Sequence, residues 1–467
     1  MTNSSQCDVA VIGAGIGGYV SAIRSAQLGK TVVLIEKDPM VGGTCVNRGC
    51  IPTKTLLATA DFLNKVAKAE DLGVHLDGLK VDFEKVMARK DAVVNRLIRG
   101  VEYLIKKNRI TLVKGKGQLI SKNQILVQKS SGGEDTIFAK NIIIATGSEE
   151  PRPSYATIDE DKILTSKGAL NLKKCPESLA VIGGDIIGVE FAVIFRALGS
   201  NVKIFGFAPS LLSMFDAEIS KNYERILKKK GIEIYVNTTV KSVKIESNRM
   251  VGTDALVKES EIHVETEKTL IADSRRPVSS GLGLEEIGIE IKDGFVVVDN
   301  HQRTNIQNIY AIGDVIGGKM FAHVALVEGI VAAENIAGHE SVMDHKPVPI
   351  CVYCEPEISS VGLSEDEAKQ QGYDVAVGKF PLQANGRALA LGETDGFAKV
   401  VCDRGTGEIL GVHLIGPHAT DLIGEAALAI KLECTSEEIG ELIHPHPTIS
   451  EALMEAARAV SNKAMQI

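Results

Sequence analysis

"VAVIGAGIGGYVSAIRSAQLGKTVVLIE", residues 9–36, decides how this chain folds. Val9–Ile12 is a short apolar run, the pattern of a strand buried on both faces in a parallel sheet. Gly13, Gly15 and Gly18 follow with G-x-G-x-x-G spacing, and a helical stretch then runs to Gly29. A second apolar strand ends at Glu36. Together these make a βαβ unit. In such a unit the helix N-terminal amides hold a pyrophosphate and the bare backbone at the middle glycine lets it approach. The acid at the second strand end is placed for a ribose. A tight turn that binds nothing would not need the strand, the helix and the acid together.

The plan recurs in "LAVIGGDIIGVEFAVIFRALGSNVKIFG", residues 179–206. Gly183, Gly188 and Gly199 each lie 170 residues after Gly13, Gly18 and Gly29. The chain therefore contains an internal duplication. Two positions break it: Gly15 becomes Asp185, and Glu36 becomes Gly206. The expected fold class is α/β, with two Rossmann-like dinucleotide-binding domains and a C-terminal α+β domain.

The remaining chain fits around these units. At 467 residues it is too long for one core, so two to four domains are expected. Composition is that of a globular protein: 44% hydrophobic, 24% charged, with 45 glycines that suit Gly-rich turns. A formal net charge of −8 disfavours nucleic acid and anionic membrane as partners. No apolar run reaches the roughly 18 residues of a membrane span. "MTNSSQCD" lacks a basic and an apolar signal region, which predicts a cytoplasmic protein, or a matrix protein after removal of a presequence.

A mostly helical stretch is expected from about Thr53 to Lys107, then short strands ending in "NIIIATGSEE", residues 141–150. Pro151 and Pro153 mark a boundary. "TLIADSRRP" (269–277) and "NIYAIGDVIGG" (308–318) are further strand-to-turn elements, with Asp314 at a strand end. From about Pro347, alternating strands (Ala398–Val401, Ile409–Ile415) and helices (Ser364–Gln371, Asp421–Leu432, Glu451–Ala457) predict a separate α+β domain.

Eight cysteines in a large chain of this kind are mostly free thiols, and any disulfide is expected to be catalytic. Cys351 and Cys354 read as two strand cysteines rather than a metal or redox pair, since one CxxC without a second is a weak signal. "GGTCVNRGCIPTK", residues 42–54, is stronger. Four residues separate Cys45 from Cys50, about one helical turn, which can bring two sulfurs into disulfide reach. Pro52 suits a first helical turn, and a thiol at a helix N-terminus favours the thiolate. Two buried core cysteines are the alternative, and the surrounding glycines argue against it. In "IHPHPTISEALMEAARA", residues 443–459, His444 and His446 cannot share a helix face, so zinc fits poorly. His446 with Glu451 suggests a histidine held by a carboxylate, suited to thiol activation; read alone, a capping or structural histidine is the better reading.

With these stretches, "ATGS", "IYAIGDV", "FAH", "VYCEPEISSVG" and "NGRA", the chain resembles the flavoprotein disulfide reductases over essentially its whole length. The wording "NRGCIPTK" favours the dihydrolipoamide dehydrogenase branch over the glutathione reductases, and the tail "SNKAMQI" lacks the extra cysteine pair of mercuric reductases. The resemblance implies four parts. These are an FAD domain with a redox disulfide (1–150), a nicotinamide domain (151–272), a central segment completing the FAD site (273–346) and a dimer-interface domain (347–467).

It also implies site residues. FAD would lie at Gly13, Gly15, Gly18 and Glu36, with Gly117, Thr146, Gly147, Asp314 and Ala322 contributing. Lys54 would stand beside the flavin, paired with Glu190. Cys50 would face the flavin and Cys45 would exchange with a dithiol. His446, oriented by Glu451, would be the base, supplied across a homodimer interface. The implied partner is a lipoyl-bearing protein or small dithiol, within a multienzyme complex in some members. Gly183 and Gly188 would receive NAD.

NAD is where the sequence departs. A carboxylate about 5 Å from one phosphate charge costs roughly 3 kcal/mol at an effective dielectric near 20. A lost hydrogen bond between a ribose hydroxyl and an acid costs about 1.5–3 kcal/mol. Asp185 and Gly206 together are therefore expected to weaken NAD by roughly 4–6 kcal/mol, a thousandfold or more. "FGFAPS" (205–210) offers no arginine for NADP. Asp273-Ser274 stands where the family has Thr-Gly. One reading is a working dehydrogenase with an unusual NAD site. Others are the same dithiol–FAD chemistry with a different acceptor (a quinone, a ferredoxin-like partner, another disulfide), or a structural lipoyl-docking module, which the intact Cys45, Cys50, His446 and Glu451 argue against.

Overall fold

The structure, a computed structural model, describes residues 4–247 and 249–466. The first three residues of the N-terminal stretch and the last of the tail lie outside these. The chain divides into two compact units: residues 1–55, 85–151 and 274–344, and residues 56–84, 152–273 and 345–467.

In the first unit, β1 (Ser4–Ile12), α1 (Ile16–Gln27) and β2 (Val32–Glu36) form the expected βαβ unit. β1 pairs in parallel with β2 and with the strand Glu134–Ile144, which pairs in parallel with Ile309–Ala311. β2 pairs with Thr111–Ser121, and an antiparallel meander through Gln124–Lys129 links that strand to Glu134–Ile144. The strand residues Val9, Val11, Leu34 and Ile143 are fully buried with Ala22 of α1, so covering both faces of the sheet is what stabilises this layer. All strand ends that carry loops toward the site lie on the carboxyl edge of the parallel part, where open α/β sheets place their ligands.

The helical stretch predicted between the two βαβ units in sequence is α2 (Gly43–Arg48), α3 (Cys50–Ala67) and α4 (Phe83–Lys107).

The second unit holds the duplicate. Its parallel sheet runs Glu233–Tyr235, Asn201–Phe205, Ser178–Ile182, Lys268–Ile271, Ile163–Leu164. Val9 pairs with Val32 and Leu179 with Val202, so the register is repeated as well as the elements. The C-terminal part is a five-stranded antiparallel sheet over Ile350–Val352, Glu357–Gly362, Ile409–Gly416, Phe397–Asp403 and Val375–Pro381. Helices Ala419–Lys431 and Glu451–Ala459 pack against it, around Phe380, Val400, Leu414, Ile430 and Leu453. Lys399, 1% exposed, joins this sheet to the N-cap of the helix Ala217–Lys229 and to the helix Glu365–Gln370: its Nζ lies 3.0 Å from Asp216 Oδ2 and 2.8 Å from Glu365 Oε2. Cys351 lies in the strand Ile350–Val352, but Cys354 falls beyond its end and is fully buried. Among the described residues, no helix is long and apolar enough to cross a membrane.

Candidate active site

The first glycine turn is fixed by contacts that only glycine permits. Gly13 has φ +107°, and a Cβ there would stand 2.3 Å from the Ala145 carbonyl oxygen. A Cβ on Gly18 would stand 1.8 Å from the Gly13 carbonyl oxygen, so the helix can approach the strand only without one. Gly15 differs: its nearest neighbour would be Gly43 Cα at 3.9 Å, and the space above it is open. Glu36 is buried at the end of β2. Its Oε2 accepts from Ala14 N at 2.7 Å and its Oε1 from Asp38 N at 2.8 Å, which holds the carboxylate in one place.

Cys45 lies in α2 and Cys50 opens α3. The five-residue step is not one continuous helical turn, because Gly49 breaks the backbone (φ −135°, ψ −109°) between two helices. The result still brings the sulfurs together: Cys45 hydrogen-bonds Cys50, in the dithiol form. The Cys50 sulfur beside it and burial hold the Cys45 thiol far above its ordinary value, with Lys54 opposing and Asp314 adding to the rise. Lys54 stands one turn after Cys50 on α3. The helix N-terminus and the Lys54 ammonium both favour negative charge at this pair.

Asp314 anchors a network that the sequence does not announce. The Ser148 hydroxyl donates to Asp314 Oδ2, and Arg275 Nε donates to Ser148 Oγ at 2.7 Å, with its own Nε 3.9 Å from Asp314 Oδ2. Burial raises the Asp314 carboxyl; Ser148 and Arg275 oppose it. Glu328 accepts from Gly313 N at 2.7 Å, and burial pushes its carboxyl up to about 7. Thr146 Oγ1 donates to Val278 O at 2.6 Å, and Gly147 takes φ +69°. Ala322 begins the helix Ala322–Ala337. Gly117 is packed against core side chains, where a Cβ would touch Ile12, Ile35 and Ile125 at 3.4 Å.

In the second unit, His446 Nδ1 lies 2.9 Å from Glu451 Oε1, and Glu451 Oε2 accepts from Thr448 N at 2.9 Å. Burial raises the Glu451 carboxyl, but the Thr448 amide and the His446 ring bring it below its usual value. The His446 side chain is 76% exposed, so its ring is fixed on one edge and open on the other. His444 is instead engaged twice, by Leu442 O at 3.0 Å and Glu425 Oε1 at 3.1 Å, on a side chain only 3% exposed. Glu190 is buried, and its Oε1 accepts from Tyr353 N at 3.1 Å.

The second glycine turn keeps the frame of the first. Gly183 has φ +128° and would put a Cβ 2.2 Å from Ala272 O; Gly188 would put one 2.1 Å from Gly183 O. Asp185 is the N-cap of the helix Ile186–Ala197, yet its side chain makes no capping hydrogen bond. Asp185 is exposed, yet partial desolvation by the surrounding turn and the Asp273 carboxylate raise its carboxyl above the ordinary value. Asp185 and Asp273 are thus one electrostatic feature rather than two separate departures. Gly206 leaves no acid, and Leu211 Cδ2 would lie 2.8 Å from a Cβ on Gly184 and 3.3 Å from one on Gly206, covering the strand end.

A pyridine nucleotide-disulphide oxidoreductase family model matches residues 7–329, and the dimerisation domain of the same family matches residues 348–457. The chain belongs to this family. It is 43% identical to dihydrolipoyl dehydrogenase of Bacillus subtilis (strain 168), over 99% of both chains. It is 41% identical to the human mitochondrial dihydrolipoyl dehydrogenase, over 97% of this chain and 90% of that one. Among solved structures, the HOCl-induced flavoprotein disulfide reductase RclA of Escherichia coli, as its Cu(II) complex, superposes with a TM-score of 0.87. It shares 31% identity over 97% of this chain and 99% of that one.

As a member of the family, the protein is an oxidoreductase acting on sulfur groups, and the family's cofactors are FAD and NAD. The first turn fits FAD: the space over Gly15 is open and the Glu36 carboxylate is held ready. The second turn does not fit NAD equally well, because a carboxyl occupies the middle position and the ribose acid is gone. Sequence reasoning missed Arg275, Ser148 and Glu328. The first two stand inside quoted motifs, but only the fold joins "ATGS" to "DSRRP".

Proposed function

We propose that the protein oxidises a dihydrolipoyl group on a carrier protein or a small dithiol, with NAD as the electron acceptor. The paired sulfurs of Cys45 and Cys50 beside Lys54 carry this reading, supported by relatives named dihydrolipoyl dehydrogenase along the full chain. His446, oriented by Glu451, takes a proton from one substrate thiol. The thiolate attacks Cys45 of the oxidised pair, and Cys50 leaves as a thiolate that the α3 N-terminus and Lys54 stabilise. The second substrate thiol then displaces Cys45 and closes the substrate disulfide. Two electrons and two protons have left the substrate, and Cys45 and Cys50 are a dithiol. FAD held by Gly13, Gly15, Gly18, Glu36 and Asp314 would supply the two-electron acceptor chemistry that the side chains lack.

The family's dimerisation region at 348–457 supports a homodimer and a boundary near residue 347. We place the enzyme in the cytoplasm, and a lipoyl-bearing multienzyme complex is the partner the chemistry suits. The reading is tested by following NAD reduction with dihydrolipoamide. Cys45→Ser and Cys50→Ser should each lower turnover at least about a thousandfold while FAD stays bound. Undiminished turnover in either variant contradicts it. A glutathione-reductase-like activity or another acceptor has no observation in its favour over this one.

A further inference from the structure

Asp185 projects a carboxyl from the helix N-terminus where its counterpart Gly15 leaves open space, and no helix amide takes it up. Asp273, at the end of the strand Lys268–Ile271, is the charged neighbour that acts on it. Tyr155, beside Asp273, is held protonated by burial and by that carboxylate. Among the described residues, no cation is one of the groups that shift Asp185. A pyrophosphate entering this turn would therefore meet two carboxylates rather than bare amides.

We propose that a nicotinamide dinucleotide binds this turn preferentially with Asp185 protonated, so that binding takes up a proton and tightens as pH falls. This rests on reading the second turn as the NAD site. The sign follows from linkage. Partial desolvation and Asp273 already raise the exposed Asp185 in the free protein, and a bound pyrophosphate raises it further. Between those two values each unit fall in pH tightens binding about tenfold, and above the upper value the affinity levels off. The whole span amounts to on the order of a hundredfold. Asp185 is thus a specificity-determining residue: between those two values it couples uptake of the dinucleotide to uptake of a proton.

The test is calorimetric titration of the FAD-loaded, full-length protein with NAD+, which cannot reduce oxidised flavin. It covers the range upward from the ordinary carboxyl value of about 4 to about pH 8, in two buffers of different protonation heat. Expected are uptake of close to one proton per NAD+ within the window and about tenfold tightening per pH unit. Asp185→Asn keeps the shape and a good N-cap; it should abolish both and bind on the order of a hundredfold tighter at the alkaline end. An affinity independent of pH in the parent protein overturns the proposal. Gly206→Glu separates the two failures. If it tightens NAD+ while no proton is taken up by the parent, the site stands and the proton linkage falls. If neither substitution moves the affinity, the dinucleotide binds elsewhere and both fall.

Discussion

The turn at Gly13–Gly18 and the turn at Gly183–Gly188 are one structure built twice and furnished differently. Their backbones agree bond for bond. Gly13 N donates to Ile35 O at 2.8 Å and Gly183 N to Phe205 O at 2.9 Å. Gly42 N reaches Ala14 O at 2.8 Å, and Leu212 N reaches Gly184 O at 2.9 Å. The first and third glycines, which the frame itself requires, are kept in both copies. The middle glycine and the acid, which serve the ligand rather than the frame, are kept only in the first. Folding and binding therefore place demands on different letters of the same motif, and the second copy has kept the folding letters alone.

The reciprocal exchange should give the largest effect. Gly15→Asp with Glu36→Gly puts the second copy's furniture into the first and removes the acceptors of Ala14 N and Asp38 N. FAD binding should weaken by at least roughly 4–6 kcal/mol, read as flavin lost on gel filtration. The opposite exchange, Asp185→Gly with Gly206→Glu, should tighten NAD by up to the same amount, provided Leu211 yields to the new side chain at Gly206. No gain in titrated affinity would mean that charge is not what separates the two turns.

A smaller effect tests the shared frame. Gly13→Ala and Gly183→Ala each force a side chain onto a positive φ and into a carbonyl oxygen. Each should cost about 2–5 kcal/mol in denaturant unfolding, irrespective of ligand. A loss at Gly13 with none at Gly183 would show that the second frame is not held as the first is.

The smallest effect concerns the raised carboxyls, one beside each turn. Glu328 is engaged by Gly313 N, whereas Asp185 is engaged by no helix amide. Burial lifts Glu328 from 4.5 to about 7, so folding favours its protonated form; that stability is present below the unfolded value and fades as pH rises through the folded one. Glu328→Gln should leave stability near pH 4 almost unchanged and add about 1–3 kcal/mol near pH 8. Equal denaturation midpoints for the two proteins at both pH values would contradict the assignment.

Much of this was legible in the chain. Glycine spacing and apolar runs are local signals, and they placed both βαβ units, their offset and Cys50 at a helix start. The contrast at Asp185 and Gly206 was visible for the same reason. What stayed hidden depends on residues far apart in sequence. Arg275 meets Ser148 across 127 positions, and Glu328 meets Gly313 through a turn that no periodicity marks. That Asp273 faces Asp185 follows from two neighbouring parallel strands. The break at Gly49 stays hidden because the spacing of the cysteines suits one helical turn as well as two helices.

The two turns should be as unequal in use as they are in furniture. The direct measurement is the flavin absorbance of the FAD-loaded protein, mixed anaerobically with dihydrolipoamide or with NADH at neutral pH. Dihydrolipoamide should bleach the band promptly, while NADH should do so only far above micromolar concentration. Prompt bleaching by micromolar NADH would show that the second turn binds its dinucleotide as a family member with glycine there would, and would contradict the account.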